Sequence, residues 1–281
     1  MSQKWGQNFL VDEGIAARII AESGLCQGDS VVEIGPGRGV LTGRLAAVAG
    51  ELVAVEIDTG LCNKLSEKFK GRSNVTFLNE DFLETDLNPL LERLLKGKKP
   101  VRVISSLPYG SAKPIIMKLL ALPARLKKYD CVFMLQKEVA ARICASPGGR
   151  DYGTLSIAVQ YFAKAEQLFQ VSRDMFRPVP EVDSSVVRLT PLKEPPVKVK
   201  SEAVFFKLAR VAFMHRRKKL HNSISSMFNL DLSVIKDTIR SAGIAENLRP
   251  ENLSLEQFAV LSDRFYDKRG AFAGYPDSIE K

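Results

Sequence analysis

The segment Ile104-Ser105-Ser106-Leu107-Pro108-Tyr109 lies about 70 residues beyond a glycine-rich loop, Glu33-Ile34-Gly35-Pro36-Gly37-Arg38-Gly39. Together they point to methyl transfer onto an aromatic amine. The lone pair of such an amine is delocalised into its ring. Two acceptors that hold its N–H hydrogens can turn the nitrogen toward a tetrahedral shape and aim it at a methyl donor. The gain is positioning and electrostatics, with no covalent intermediate. Ser106 Oγ and the Leu107 carbonyl are the candidate acceptors. Pro108 stiffens the turn, and Tyr109 offers a flat face on which an extruded base can stack. No cysteine occupies the turn, which argues against the thiol-adduct route of carbon methylation.

The glycine loop follows an apolar run, Val31–Ile34, and a helical pattern opens at Val40. Gly35 and Gly37 let the backbone turn tightly and approach a ligand at a helix N-terminus. The spacing is G-x-G-x-G; position 40, where a dinucleotide fold places its third glycine, holds Val40. Glu33 precedes the loop, and an acidic strand end suits the ammonium and sulfonium of S-adenosylmethionine better than the pyrophosphate of NAD. An NAD-dependent oxidoreductase is thereby the weaker reading. Glu56, at the tip of the next strand, can accept both ribose hydroxyls, with Ile57 against the adenine. Asp58 reads as a helix cap. Asp81, with Phe82 beside it, can accept from the adenine amine.

These residues need a scaffold. Strands are predicted at Val31–Ile34, Leu52–Ile57, Val75–Asn79, Val101–Ser105 and Cys131–Leu135, with helices between them. Such alternation, with strands apolar on both faces, predicts an α/β fold of the Rossmann-like kind: a mostly parallel sheet with helices on both sides. Further strands are expected at Ala165–Val171 and Ser184–Leu189, and helices at Lys137–Ala145 and Thr154–Phe162. The Pro- and Lys-rich stretch Thr190–Lys200 reads as a boundary. The expected domains are 1–192 for methyl transfer and 193–281 for a small all-helical, RNA-binding domain.

With 281 residues, 45% of them hydrophobic, the chain can fill a large core and a second small one. A net charge of +9 favours a polyanionic partner. His215-Arg216-Arg217-Lys218-Lys219 is the densest basic run, and Arg216, Arg217, Lys218 and Lys219 are the candidate phosphate contacts. His215 and His221 read as surface residues, and no metal site is expected. Four cysteines without a C-x-x-C pair, and no apolar run of membrane-spanning length, suit a cytoplasmic protein that acts away from membranes. In Phe176-Arg177-Pro178-Val179-Pro180, Phe176 is equally a second wall of the base pocket or a core anchor.

The chain resembles the ribosomal RNA small-subunit adenine N6,N6-dimethyltransferases in their bacterial KsgA-type form. The resemblance rests on Trp5–Leu10, Glu33–Gly39, Val55–Asp58, Leu107-Pro108-Tyr109, Met134–Val139, Tyr152–Tyr161 and Phe176–Leu189, and on Arg216-Arg217-Lys218. It implies a class I methyltransferase fold followed by a helical domain. The implied reaction is transfer of four methyl groups to two adjacent adenines near the 3′ end of 16S rRNA, by a monomer acting on the assembling 30S subunit. It implies that Asn8 and Leu10 line the donor pocket, that Gly35, Glu56 and Asp81 hold the donor, and that Phe176 and Tyr109 sandwich the base. The family pattern is Asn-Leu-Pro-Tyr, and this chain has Ser106 where the asparagine stands. A serine hydroxyl accepts the same hydrogen bond but is shorter and also donates. That departure leaves open an alternative, a catalytically weak RNA-binding assembly factor.

Overall fold

A computed structural model describes residues 8–268 apart from 98, 216, 217 and 226–230. In chain order the elements are β1 (Phe9–Leu10), α1 (Glu13–Glu22), β2 (Ser30–Ile34), α2 (Val40–Val48), β3 (Glu51–Val55), α3 (Thr59–Lys68) and β4 (Val75–Leu78). They continue with α4 (Leu87–Leu95), β5 (Val101–Ser106), α5 (Ala112–Leu120), β6 (Tyr129–Gln136), α6 (Lys137–Cys144), α7 (Thr154–Phe162), β7 (Ala163–Val171), β8 (Phe176–Arg177) and β9 (Ser184–Pro191). Four helices complete the order: α8 (Glu202–Met214), α9 (Leu220–Ile224), α10 (Leu232–Ser241) and α11 (Leu255–Asp267).

The main sheet has the order β4-β3-β2-β5-β6-β9-β7. The first five strands are parallel; β9 runs antiparallel to β6, and the edge strand β7, antiparallel to β9, returns to the direction of the first five. This is the Rossmann-like methyltransferase architecture that the alternating pattern predicts. Val31, Leu52, Val53, Val101, Val103 and Ile104 are fully buried, as strands covered by helices on both faces must be. The chain moves outward through β3 and β4, then returns to the other side of β2 to lay down β5 and β6. The resulting switch point, between β2 and β5, opens a crevice at the strand C-termini. Register sets the strand tips side by side: Ile34 pairs with Val55, Val55 with Leu78, and Ser106 with Met134. The second predicted strand ends at Val55, two residues earlier than expected, which leaves Glu56 and Ile57 in the loop above the sheet.

Three elements escape the sequence reading. The Asp12 side chain accepts from Ile15 N–H at 2.7 Å and starts α1, which buries Ala16 and Ile19. β1 and β8 form a separate two-stranded sheet, Leu10 opposite Phe176; two residues carry no readable periodicity.

The chain divides into two compact units. One runs up to Ala141 and includes Phe162–Glu194; the other comprises Arg142–Tyr161 and the residues from Pro195 onward. A single cut after residue 192 was expected, so the stretch before Phe162 changes sides. The reason is aromatic packing within the second unit. Tyr161 lies 5.0 Å from Phe205 and 5.1 Å from Phe206, and its hydroxyl donates to Glu202 Oε1 at 3.0 Å. Tyr152 packs edge-on to Phe213, which stacks on Phe258. His221, expected at the surface, is buried, its Nδ1 3.0 Å from the Glu246 carbonyl oxygen.

Candidate functional site

A cavity of about 380 Å³ occupies the crevice at the strand C-termini. Asn8, Leu10, Gly35, Gly37, Glu56 and Ile57 line it, and so do Asp81, Phe82, Ser106, Leu107, Pro108 and Tyr109. The loop after β2 starts with a donation from Gly35 N–H to the Val55 carbonyl at 2.8 Å. Gly37 has φ +59°, and a Cβ there would lie 2.9 Å from the Phe9 ring, so a side chain at this position would be both strained and crowded.

Glu56 is buried and accepts twice: Oε2 from Gly37 N–H at 3.1 Å and Oε1 from Asp58 N–H at 2.9 Å. Burial raises its pKa above the ordinary glutamate value, and the two backbone N–H groups work against that rise. Asp58 caps α3 through Leu61 N–H at 2.9 Å, as predicted. Asp81 Oδ1 accepts from Leu83 N–H at 2.9 Å, which folds the loop after β4 back toward the cavity. Ser106 closes β5 at the cavity wall, and Leu107 N–H donates to the Met134 carbonyl at 3.1 Å. The neighbouring Ser105 is buried and donates to the Ile34 carbonyl, tying the two lips of the crevice together.

Phe176 is placed elsewhere. It is 1% exposed, lies in the core cluster with Leu10, Ile19, Met134 and Val186, and is absent from the cavity wall. A stacking wall needs an open ring face. In this structure Phe176 takes the core-anchor position, and Tyr109, half-buried, is the one of the two aromatics on the cavity wall.

Other site residues escaped the sequence reading. Phe9 roofs Gly37, with the Arg38 guanidinium 4.7 Å from its ring centroid. Lys118 Nζ donates to the carbonyls of Phe82, Leu83 and Thr85 at 2.9, 2.5 and 2.7 Å, pinning the loop that carries Asp81. A single lysine in a helix gives no sequence signal of that kind. Of the basic run, Lys218 and Lys219 are exposed, while Arg216 and Arg217 lie outside the described residues. Among the described residues no helix is long and apolar enough to cross a membrane.

Glu33, fully buried below the glycine loop, leaves its Oε2 without a hydrogen-bond partner. Burial pushes its pKa up to about 8, Glu56 adds to the rise, and Thr42 opposes it. An orphaned carboxyl, a glycine cradle and the Glu56 carboxylate are the groups that a ligand with an ammonium and a ribose diol requires. The residues fit S-adenosylmethionine.

Comparison with known proteins agrees with this geometry. The model of the family "Ribosomal RNA adenine dimethylase" matches residues 1–267. A "Ribosomal RNA small subunit methyltransferase A" from Alkaliphilus oremlandii is 41% identical over 95% of this chain and 92% of its own length. One from Clostridium botulinum is 42% identical over 93% of each. Among solved structures, a dimethyladenosine transferase from Plasmodium falciparum superposes with TM-score 0.75 at 25% identity, covering 93% of this chain and 98% of that one. The 23S rRNA methyltransferase ErmE gives 0.67 at 26% identity, over 92% and 99%. These relatives are named as methyltransferases, which favours an enzyme over the weak assembly factor that Ser106 left open. The chain belongs to the ribosomal RNA adenine dimethylase family, Rossmann-like methyltransferases that use S-adenosylmethionine.

Proposed function

We propose that this protein dimethylates the N6 amines of two adjacent adenines near the 3′ end of small-subunit rRNA, acting as a cytoplasmic monomer on the assembling 30S subunit. The observation that carries the reading is the placement of Ser106, Leu107 and Tyr109 on the wall of the cavity that Glu56 and the glycine loop also line. Glu56 holds the ribose hydroxyls, Asp81 and Ile57 the adenine, and Glu33 the ammonium of the donor. S-adenosylmethionine supplies the transferable methyl group as an electrophile.

Tyr109 stacks on an adenine extruded from its helix, while Ser106 Oγ and the Leu107 carbonyl accept the two amine hydrogens. Those acceptors keep the nitrogen lone pair pointed at the donor side of the cavity and stabilise charge developing on the amine. The amine proton leaves to water at the open rim. After one transfer the amine still has a hydrogen for one acceptor, so the same geometry serves a second transfer. The exposed Lys218 and Lys219, with Arg216 and Arg217, neutralise RNA phosphates.

Mapping the modified nucleotides tests this reading. Small subunits lacking adenine methylation are incubated with the protein and donor, and rRNA fragments are sequenced by mass spectrometry. Dimethylation of two neighbouring adenines near the 3′ end supports the proposal; rRNA left unmethylated, or methylated only at other positions, overturns it.

A further inference from the structure

Tyr109 sits half-buried on the turn after β5, directly before the exposed Gly110. Among the described residues its hydroxyl has one hydrogen-bond partner. The Tyr109 hydroxyl lies 3.3 Å from Ser184 Oγ, and either can donate. Ser184 is 1% exposed and opens β9, paired with Gln136 of β6 on one side and Val171 of β7 on the other. The preceding residue is fixed as firmly. The Asp183 carbonyl accepts from Lys137 N–H at 3.0 Å, and its Oδ1 accepts from Arg173 N–H at 3.0 Å. Arg173 in turn donates to the Glu181 carbonyl at 3.2 Å. The serine hydroxyl is therefore a rigid point beside a side chain that needs one.

We infer that Ser184 is a positioning residue: its hydroxyl holds the Tyr109 ring at the angle on which the target adenine stacks. The inference rests on the proposed role of Tyr109 as the base wall. It also assigns a purpose to the Phe176–Asp183 segment now that Phe176 is buried. That loop delivers β9, and with it Ser184, to the tyrosine. Burial raises the phenol's pKa and the Asp183 charge adds to the rise, so Tyr109 stays a neutral hydroxyl able to share this bond.

Four variants test the inference in the full chain: Ser184→Ala, Tyr109→Phe, the double variant, and Ser184→Thr. Ser185→Ala is the control, since that buried neighbour points to the opposite face of the strand and its Oγ has no partner. The measurements are single-turnover methyl transfer to unmethylated small subunits, KM for the subunit, and donor affinity by calorimetry. Losing one neutral hydrogen bond predicts a transfer rate about three- to tenfold lower for Ser184→Ala and for Tyr109→Phe. The double variant should be no slower than either single one. Ser184→Thr should restore the rate, and donor affinity and the Ser185→Ala rate should match wild type. Multiplying losses in the double variant, or equal losses in Ser184→Ala and Ser185→Ala, would overturn the assignment. A Ser184→Ala protein as fast as an active wild type refutes Ser184 alone. An unmodified substrate with wild-type protein refutes the proposed function and this inference together.

Discussion

The Glu56 carboxylate accepts the Gly37 N–H at 3.1 Å, so the tip of β3 and the glycine loop after β2 form one hydrogen-bonded unit. The same carboxylate faces the donor cavity. On the proposed reading, replacing it removes a ribose acceptor and loosens the loop at once. Glu56→Ala should weaken S-adenosylmethionine binding roughly ten- to hundredfold, the range for hydrogen bonds to a charged group. Asp58→Ala, which loses only a helix cap, should cost about 1 kcal/mol of stability and little donor affinity. Calorimetric titration distinguishes the two, and an unchanged affinity in Glu56→Ala would contradict the assignment.

Phe176 and Tyr109 should behave oppositely. Phe176 is a core residue, and truncating a buried phenylalanine typically costs about 3–5 kcal/mol. Phe176→Ala should lower the unfolding midpoint markedly, whereas Phe176→Leu should retain most activity. Tyr109→Ala should barely move the midpoint while slowing methyl transfer at least tenfold through lost stacking. Denaturant unfolding and turnover measured on the same preparations decide it. A stable, inactive Phe176→Leu would restore the sandwich.

Glu33 makes the stability of the donor-free protein fall with rising pH. In the unfolded chain it titrates near 4.5, and in the fold at about 8. Between those values the folded protein keeps a proton that the unfolded chain has released. Stability therefore declines through that window by up to roughly 1.4 kcal/mol per pH unit and levels off above it. Glu33→Gln should remove the decline, so its advantage over wild type should grow from pH 5 to pH 8. Thermal unfolding across this range checks the claim. A constant offset between the two proteins would show that Glu33 does not titrate as argued.

Lys218 and Lys219 are exposed and carry no site chemistry. Lys218→Glu with Lys219→Glu should weaken small-subunit binding and flatten the dependence of log affinity on log salt by about two phosphate contacts. Donor affinity should be unaffected. A salt slope identical to wild type would remove these lysines from the RNA interface.

The parallel sheet and most of the cavity lining were legible because their signals are local. Each apolar run, the glycine spacing and each strand-tip carboxylate is readable from a few consecutive residues. What escaped depends on contacts between distant segments. Phe9 over Gly37, Lys118 beneath the Asp81 loop, and Ser184 against Tyr109 join positions whose sequence spacing carries no pattern. The burial of Phe176 was illegible for a related reason. An aromatic before two prolines reads alike whether its ring faces a cavity or the core. Here the pairing of Leu10 with Phe176 belongs to a sheet too short to anticipate. The domain cut shifted because Tyr152 and Tyr161 pack with Phe213 and Phe205, 61 and 44 residues further on.

The most direct test of the account is nucleoside mass spectrometry after methyl transfer to unmethylated small subunits, run with wild type, Ser106→Ala and Ser106→Asn. Loss of one oriented acceptor should slow Ser106→Ala on the order of 10²-fold. N6,N6-dimethyladenosine should form with wild type and with Ser106→Asn, and donor affinity should be equal in all three. Dimethyladenosine formed by Ser106→Ala at the wild-type rate would contradict the claim that this turn holds the reacting amine.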